Sequence, residues 1–224
     1  MERKAPDYRK LRLGNIHTPE FRHLFLLLGW VVYFILYFVT ENLIPADRCH
    51  VIHCGLDDRI PFCEWFVIPY FLWYGLVFGS LLYYLLKDVE RFKQLQIFIM
   101  ITQAVAMIFY IVYPSRQDLR PETFADPNLL TDLVGWLYSF DTNTGVFPSL
   151  HVAYSLGLAS VWLKDDHASA VWKTFVVVMV VLICLSTCFI KQHSALDGFC
   201  AAGVSLIAEG LVFGKSYWLP KLRN

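Results

Sequence analysis

The sequence predicts an all-α integral membrane protein, a bundle of six transmembrane helices. Apolar residues make up 57% of the 224 residues and charged residues only 17%, whereas about a quarter of a soluble domain is charged. Lys plus Arg and Asp plus Glu number 19 each, so no net positive field attracts nucleic acid. The composition argues against a water-soluble enzyme, a disordered chain and a nucleic-acid binder, and the membrane class remains.

Six apolar runs come close to the roughly 20 residues that a helix needs to cross a hydrocarbon core. Four contain no charged residue; the first carries Glu41 near its end, and the last carries Asp197 and Glu209. The runs are apolar on all sides, as lipid-facing helices are, and the short alternating segments of a barrel are absent. The predicted spans are residues 24–44, 66–86, 95–113, 147–163, 174–190 and 194–213.

The distribution of basic residues predicts the orientation. With the N-terminus in the cytoplasm, fourteen Lys and Arg lie on the cytoplasmic side and five on the outer side, the bias that the positive-inside rule describes. We therefore expect cytoplasmic segments 1–23 and 214–224 to flank a membrane domain, 24–213, and the short loops favour a bacterial plasma membrane. The outer basic residues are Arg48, Arg59, Arg116, Arg120 and Lys191.

Three of these basic residues lie near two histidines of the same predicted face. Arg116 and Arg120 occupy the connection between the third and fourth spans, and Lys191 precedes His193 by two residues. His151 lies in Phe-Pro-Ser-Leu-His, at the outer start of the fourth span. The sequence thus predicts a cationic cup with two histidines, opening at the outer face.

The residue types in this cup suit a phosphate group. His193 and Asp197 are four residues apart, so the carboxylate can orient the imidazole and leave the other ring nitrogen as nucleophile or base. The first turn of the fourth span offers N–H groups to an anion, and Ser149 can cap it or donate to an oxyanion. Arginine's planar fork matches phosphate oxygens. No set of side chains at metal-ligand spacing lies beside the cup, which favours chemistry without a metal.

At these residues the chain resembles the type 2 phosphatidic-acid phosphatase superfamily, and within it the branch of the fungal inositol phosphorylceramide synthases. That family carries three patches, Lys-x6-Arg-Pro, Pro-Ser-Gly-His and Ser-Arg-x5-His-x3-Asp. The resemblance covers roughly residues 66–213. The matching residues are Arg120-Pro121 for the first patch, Pro148-Ser149-Leu150-His151 for the second, and Ser186, His193 and Asp197 for the third.

The resemblance implies a role for each matching residue. His193 would form a phosphohistidine and be oriented by Asp197, while His151 would act as general acid. Arg120, Ser149 and backbone N–H groups would hold the phosphoryl oxygens.

The chain departs from the family at three positions. Tyr113, Leu150 and Thr187 stand where the family has lysine, glycine and arginine. We expect Arg116 and Lys191 to replace the lost positive charge.

The predicted substrate is a lipid phosphate or pyrophosphate, and no cofactor is expected. Transfer of the phosphoryl group to water would make a phosphatase, and transfer to an alcohol such as inositol would make a phosphotransferase; the residues do not select between them. Other classes stay open. The paired histidines could hold haem. The departures from the family pattern at Tyr113 and Thr187 are also compatible with a transporter or an inactive homologue.

Two features outside the cup have alternative interpretations. Residues 128–140 have apolar side chains at helical spacing after an Asp126 cap, as in an interfacial lipid guide or a packed surface helix. Cys49, Cys54 and Cys63 lie in the predicted outer loop, where an oxidising compartment permits one disulfide. Zinc binding at Cys49-His50-x2-His53-Cys54 is disfavoured, because four ligands within six residues crowd a tetrahedron.

Overall fold

Eight α-helices and two short strands occupy residues 6–222, the part of the chain that this computed structural model describes. Five of its helical segments are long and apolar enough to cross a membrane, which confirms a helical membrane bundle. The elements are α1 (Leu28–Leu43), β1 (His50–Val51), α2 (Val67–Lys87), α3 (Val89–Val112), β2 (Ser115–Arg116), α4 (Leu129–Phe140), α5 (Leu150–Leu163), α6 (Ala170–Phe189), α7 (Ala195–Phe213) and α8 (Leu219–Leu222). Arg3, Lys4 and Arg223, counted above for the orientation, lie outside the described residues.

The fourth predicted span is shorter than expected. It was predicted to start at Phe147, but Ser149 caps α5, accepting a hydrogen bond from the Val152 N–H, so the helix begins at Leu150. Its 14 residues extend about 21 Å, less than the roughly 30 Å of a hydrocarbon core. α5 packs against α3, α6 and α7 and is the inner helix of the bundle. The sixth crossing therefore stays a prediction.

Other helices extend beyond their apolar runs. α3 was predicted from Leu95 but begins at Val89, after Asp88, whose side chain accepts a hydrogen bond from the Arg91 N–H. The predicted tail, 214–224, continues α7 through a π-helical turn into α8 as far as Leu222. The apolar run gives only the length of helix that lies in the hydrocarbon core. The helix itself is longer, because polar residues at both ends of the run also adopt helical conformation.

The N-terminal segment packs onto the bundle. Phe21 and His23 are buried, and the Tyr8 hydroxyl donates to the Leu85 carbonyl at 2.7 Å and lies 2.8 Å from His23 Nε2. The part of segment 1–23 that the structure describes is thus anchored to the end of α2.

Helices α3 and α5 approach closely at a glycine. A Cβ atom at Gly157 would lie 2.6 Å from Cδ1 and 2.9 Å from Cε1 of Phe98. Both residues are buried, so only glycine permits this packing without displacement of the ring.

The predicted site residues lie at one end of the bundle, where α2, α5 and α7 begin and α1, α3 and α6 end; we call it the histidine end. Here β1 pairs in parallel with β2, which joins the α1–α2 connection to the α3–α4 connection. α4 lies at this end too, since the Tyr138 hydroxyl donates to the Ile190 carbonyl. Its cap is Asn128, which accepts from the Leu130 and Thr131 N–H groups, and not Asp126 as predicted.

The opposite end carries a shielded ion pair. Lys164 Nζ lies 2.7 Å from Glu209 Oε1, with side-chain exposures of 7% and 18%. Lys164 also lies over the ring of Phe213, at 4.4 Å. Glu209 is thus paired inside the bundle and does not rely on solvent.

All six cysteines lie among the described residues and are free thiols. The disulfide that the outer-loop cysteines could have formed is therefore not present in this structure.

Candidate active site

The two predicted histidines meet at the histidine end. The ring centroids of His151 and His193 are 5.8 Å apart, and the ring planes are inclined by 59°. His151 is the second residue of α5, and His193 directly precedes Ser194, the N-cap of α7. The starts of two neighbouring helices thus place the imidazoles against each other.

A sharp turn after α6 aims His193 into the site. Lys191 adopts a left-handed conformation with φ of 55°, which is uncommon for a residue with a side chain. The Gln192 and His193 N–H groups both donate to the Thr187 carbonyl at 2.9 Å. Lys191 Nζ donates to the carbonyls of Asp57 and Ile60, so its charge fixes the turn to the α1–α2 loop.

Asp197 orients His193 as the spacing predicts. Its Oδ2 lies 3.0 Å from His193 Nδ1 and accepts from the Ser194 N–H, also at 3.0 Å. Asp197 is fully buried. A carboxylate at Nδ1 favours the tautomer with its proton there, which leaves Nε2 with the lone pair.

Asp57 supports this arrangement from a distant part of the chain. Its carboxylate accepts from the Ala195 N–H at 2.8 Å, the Ser194 hydroxyl at 2.6 Å and the Cys54 N–H at 2.8 Å. Burial alone would raise the pKa of Asp57, but these hydrogen bonds outweigh burial and hold the pKa below its usual range. Sequence reasoning missed Asp57, because no local pattern links it to a helix start some 137 residues away.

Aromatic rings hold His151. Tyr70 stacks on it with centroids 4.4 Å apart, and Trp73 lies at 4.1 Å on α2 as well. Tyr74 approaches edge-on at 6.2 Å. His151 Nε2 is buried and has no hydrogen-bond partner among the described residues. Its hydrogen-bonding capacity is therefore unused within this part of the chain.

A cavity of about 180 Å³ opens beside the two histidines, and we call it the histidine cavity. Besides the imidazoles, its polar lining includes Asp141 and Gln192. No lysine or arginine of the described chain lines it. Its nine aromatic side chains are Trp30, Tyr33, Phe34 and Tyr37 of α1, Trp73, Tyr74 and Phe78 of α2, Tyr110 of α3 and Tyr154 of α5.

Arg120 lies behind the cavity lining. Its guanidinium donates to the carbonyls of Asp141 at 2.7 Å and Thr142 at 2.9 Å, and to Gln192 Oε1. It also lies 4.5 Å from the centroid of the Tyr138 ring. Burial lowers the pKa of Arg120, but a guanidinium stays charged because its ordinary pKa is so high. Arg120 therefore positions the loop after α4.

The other predicted basic residues are engaged elsewhere. Arg116 pairs with Asp118 at 3.2 Å, and Lys191 binds the loop carbonyls described above. Neither lines the histidine cavity. Contrary to the expected cationic cup, the described residues thus place no lysine or arginine in the lining beside the histidines.

The two predicted serines have structural contacts. Ser149 is fully buried, caps α5, and donates its N–H to the Asp197 carbonyl at 3.2 Å. Ser186 is fully buried in α6, and its hydroxyl donates to the Ile183 carbonyl at 2.7 Å. Of the eight predicted site residues, His151 and His193 line the cavity and Asp197 contacts one of them.

Asp141 and Gln192 line the cavity but are not among the site residues that the sequence predicts. Asp141 Oδ2 accepts from the Tyr70 hydroxyl and from Gln192 Nε2, each at 3.0 Å. Burial raises the pKa of Asp141 above its usual range. The only sequence signal for Gln192 is its position next to His193.

Among residues 6–222, no group of three or more His, Cys, Asp or Glu is arranged to hold a metal ion. The ring of His50 stacks on Tyr113 at 4.3 Å, and His53 Nε2 lies 2.8 Å from Asp58 Oδ1. Tyr113 thus packs against the α1–α2 loop.

Comparison of the chain with protein-family models, with curated proteins and with solved structures finds no match. The family resemblance therefore depends on the motif residues alone.

Proposed function

We propose that the protein is a membrane phosphoesterase that acts on a lipid phosphate or pyrophosphate through a phosphohistidine at His193. The observation that carries this proposal is the pair of imidazoles 5.8 Å apart, with Asp197 on Nδ1 of one of them. An oriented imidazole with a second imidazole beside it can supply a nucleophile and a proton donor to one phosphoryl group.

The reaction has two steps. His193 Nε2 forms a bond to phosphorus as the P–O bond to the lipid alcohol or phosphate breaks, and the leaving oxygen takes a proton from His151. Water then attacks the phosphohistidine, gives a proton back to His151, and the P–N bond breaks to release phosphate and free His193. Asp197 stabilises the positive charge that develops on His193 in the first step.

A phosphotransferase, similar to the inositol phosphorylceramide synthases, is the second candidate. It is favoured by Asp141 and Gln192 in the cavity lining, because both side chains can hydrogen-bond a hydroxylated acceptor. The alcohol would take the place of water in the second step.

The test is incubation of the purified protein with phosphatidic acid and isoprenoid pyrophosphates, with and without inositol. A phosphatase releases phosphate in both cases, whereas a transferase also yields a phosphorylated alcohol. We expect His193→Ala to lower turnover by at least about 10³-fold and Asp197→Asn by on the order of 10²- to 10⁴-fold. His53→Ala is the matched control, since His53 is half-exposed and paired with Asp58.

Labelled substrate should leave an acid-labile phosphoryl group on the wild-type protein and none on His193→Ala. Full turnover by His193→Ala would exclude both candidates. A panel that yields no product would instead favour a transporter or an inactive homologue.

We place the histidine end on the outer face of a bacterial plasma membrane, on the basis of the fourteen-to-five distribution of basic residues. A membrane-impermeant maleimide should then label Cys54 in intact cells, because Cys54 lies at the histidine end and is partly exposed. Labelling only after lysis would reverse the orientation.

A further inference from the structure

The chemical character of the histidine cavity is not explained by a phosphate site alone. Its lining combines nine aromatic side chains with one carboxylate, Asp141, and contains no lysine or arginine of the described chain. The part of the cavity next to Asp141 would therefore repel a phosphate dianion. The lining suits a ligand that carries positive charge and is large enough to contact several rings.

Four of these rings lie in two edge-to-face pairs that line the same cavity, and we call them the aromatic box. Trp73 and Tyr74 are inclined by 78° at 4.8 Å, and Tyr37 and Tyr110 by 67° at 6.3 Å. These four rings come from three helices, α1, α2 and α3. Tryptophan and tyrosine faces attract cations through the ring quadrupole, and recognition of quaternary ammonium groups uses such boxes.

Asp141 supplies the matching charge. Its Oδ2 holds both hydrogen bonds of the carboxylate, from Tyr70 and Gln192, which leaves Oδ1 without a hydrogen-bond partner among the described residues. Asp141 forms no ion pair within 4.0 Å in this part of the chain. The nearby Arg120 directs its hydrogen bonds to carbonyl groups and to Gln192.

An apolar lipid tail fits this cavity less well. Aromatic rings would contact it favourably, but Asp141 would then be buried against hydrocarbon with an unpaired oxygen, which costs free energy. A cation removes that cost and gains attraction from the rings.

We propose that the histidine cavity binds an organic ammonium group, held between Asp141 and the aromatic box, directly beside the two histidines. This inference rests on the proposed function, in which the ligand is the substrate. The substrate would be a phosphate ester of an amino alcohol, with its phosphoryl group at the imidazoles and its ammonium group at Asp141. The ammonium can come from a lipid headgroup or from a free amino alcohol.

The experiment compares choline with 3,3-dimethylbutanol, the neutral compound of the same shape, as ligands of the purified protein in detergent. Binding is followed by quenching of tryptophan fluorescence, because Trp73 lines the cavity. We expect choline to bind at least about tenfold more tightly than the neutral compound.

Asp141→Asn should abolish the preference for choline while 3,3-dimethylbutanol still binds, because asparagine keeps the ability to hydrogen-bond a hydroxyl group and loses only the charge; this binding also shows that the variant is folded. Asp118→Asn is the matched control, since Asp118 pairs with Arg116 outside the cavity, and it should keep the preference. Equal binding of the two compounds by the wild-type protein, or an undiminished preference in Asp141→Asn, would overturn the proposal.

A second set of binding measurements, with short-chain phosphatidylcholine and phosphatidic acid as competitors, identifies the source of the ammonium group. Displacement of 3,3-dimethylbutanol by phosphatidylcholine at lower concentration than by phosphatidic acid identifies a lipid headgroup. Displacement by choline but not by phosphatidylcholine identifies a free amino alcohol. These measurements need no turnover, so loss of the ammonium preference and loss of phosphoesterase activity are separate outcomes.

Discussion

Replacement of Asp57 by alanine should destabilise the protein much more than replacement of its neighbour Asp58. Asp57→Ala leaves three donors without their acceptor, namely the N–H groups of Ala195 and Cys54 and the Ser194 hydroxyl. An unsatisfied buried donor costs about 1–3 kcal/mol; the Ala195 N–H and the Ser194 hydroxyl are buried, whereas the Cys54 N–H is partly buried. Because the hydroxyl can rotate to a new partner and the effects are not additive, we expect a loss of about 3 kcal/mol.

Asp58→Ala provides the matched control on the same loop. Asp58 is 66% exposed and pairs with His53, which is 44% exposed, and exposed pairs of this kind contribute about 0–1 kcal/mol. The measurement is the free energy of unfolding in mixed micelles, followed by tryptophan fluorescence. A loss below about 1 kcal/mol for Asp57→Ala, or equal losses for the two variants, would refute the role assigned to Asp57.

The pKa of Asp57 gives this prediction a pH dependence. The folded pKa lies below the ordinary value, which is about 3.9 in an unfolded chain. The folded state thus binds fewer protons at this site, and its stabilisation is complete above the unfolded pKa and lost as the pH falls through the folded pKa. The stability difference between wild type and Asp57→Asn should be constant at neutral pH and shrink below about pH 4. A difference that grows on acidification would contradict this sign.

Two further predictions concern packing and charge away from the histidines. Gly157→Ala should lower the free energy of unfolding by about 1–3 kcal/mol, because the new Cβ overlaps the buried ring of Phe98. Gly203→Ala is the control: no atom lies within 4 Å of its new Cβ, so the protein should lose no stability. Equal effects of the two changes on the melting temperature would argue against the close approach. Glu209→Gln should lower the free energy of unfolding by about 3 kcal/mol, because it leaves Lys164 shielded from solvent and without its ion-pair partner. The double variant with Lys164→Met should lose less stability than the two single variants lose together.

The bundle could be predicted because hydrocarbon imposes a length and a composition on each span. The helix ends were harder to predict than the spans. The first turn of α3, from Val89, is polar, and it is helical because Asp88 caps it and not because it is hydrophobic. The start of α5 was misplaced for the same reason, because Ser149 caps it inside the protein.

The candidate site was predictable in part. The spacing of His193 and Asp197 follows from helix geometry, and motif residues identified His151 as its neighbour. The contacts of the basic residues could not be predicted, because the sequence does not show which group a charged side chain binds. Arg120 and Lys191 bind backbone carbonyls. Asp141 was missed because its hydrogen bonds reach from Tyr70 to Gln192, contacts that no local pattern records.

Helix α1 has a special position in this molecule. None of its residues is buried, and it packs mainly against α3, yet it supplies Trp30, Tyr33, Phe34 and Tyr37 to the histidine cavity. Under the two proposals, a helix that carries neither imidazole therefore shares in ligand recognition with Asp141 and with the α2 rings that contact His151. Substitutions along α1 should then change which molecules bind while the imidazole pair and the helices that carry it remain intact.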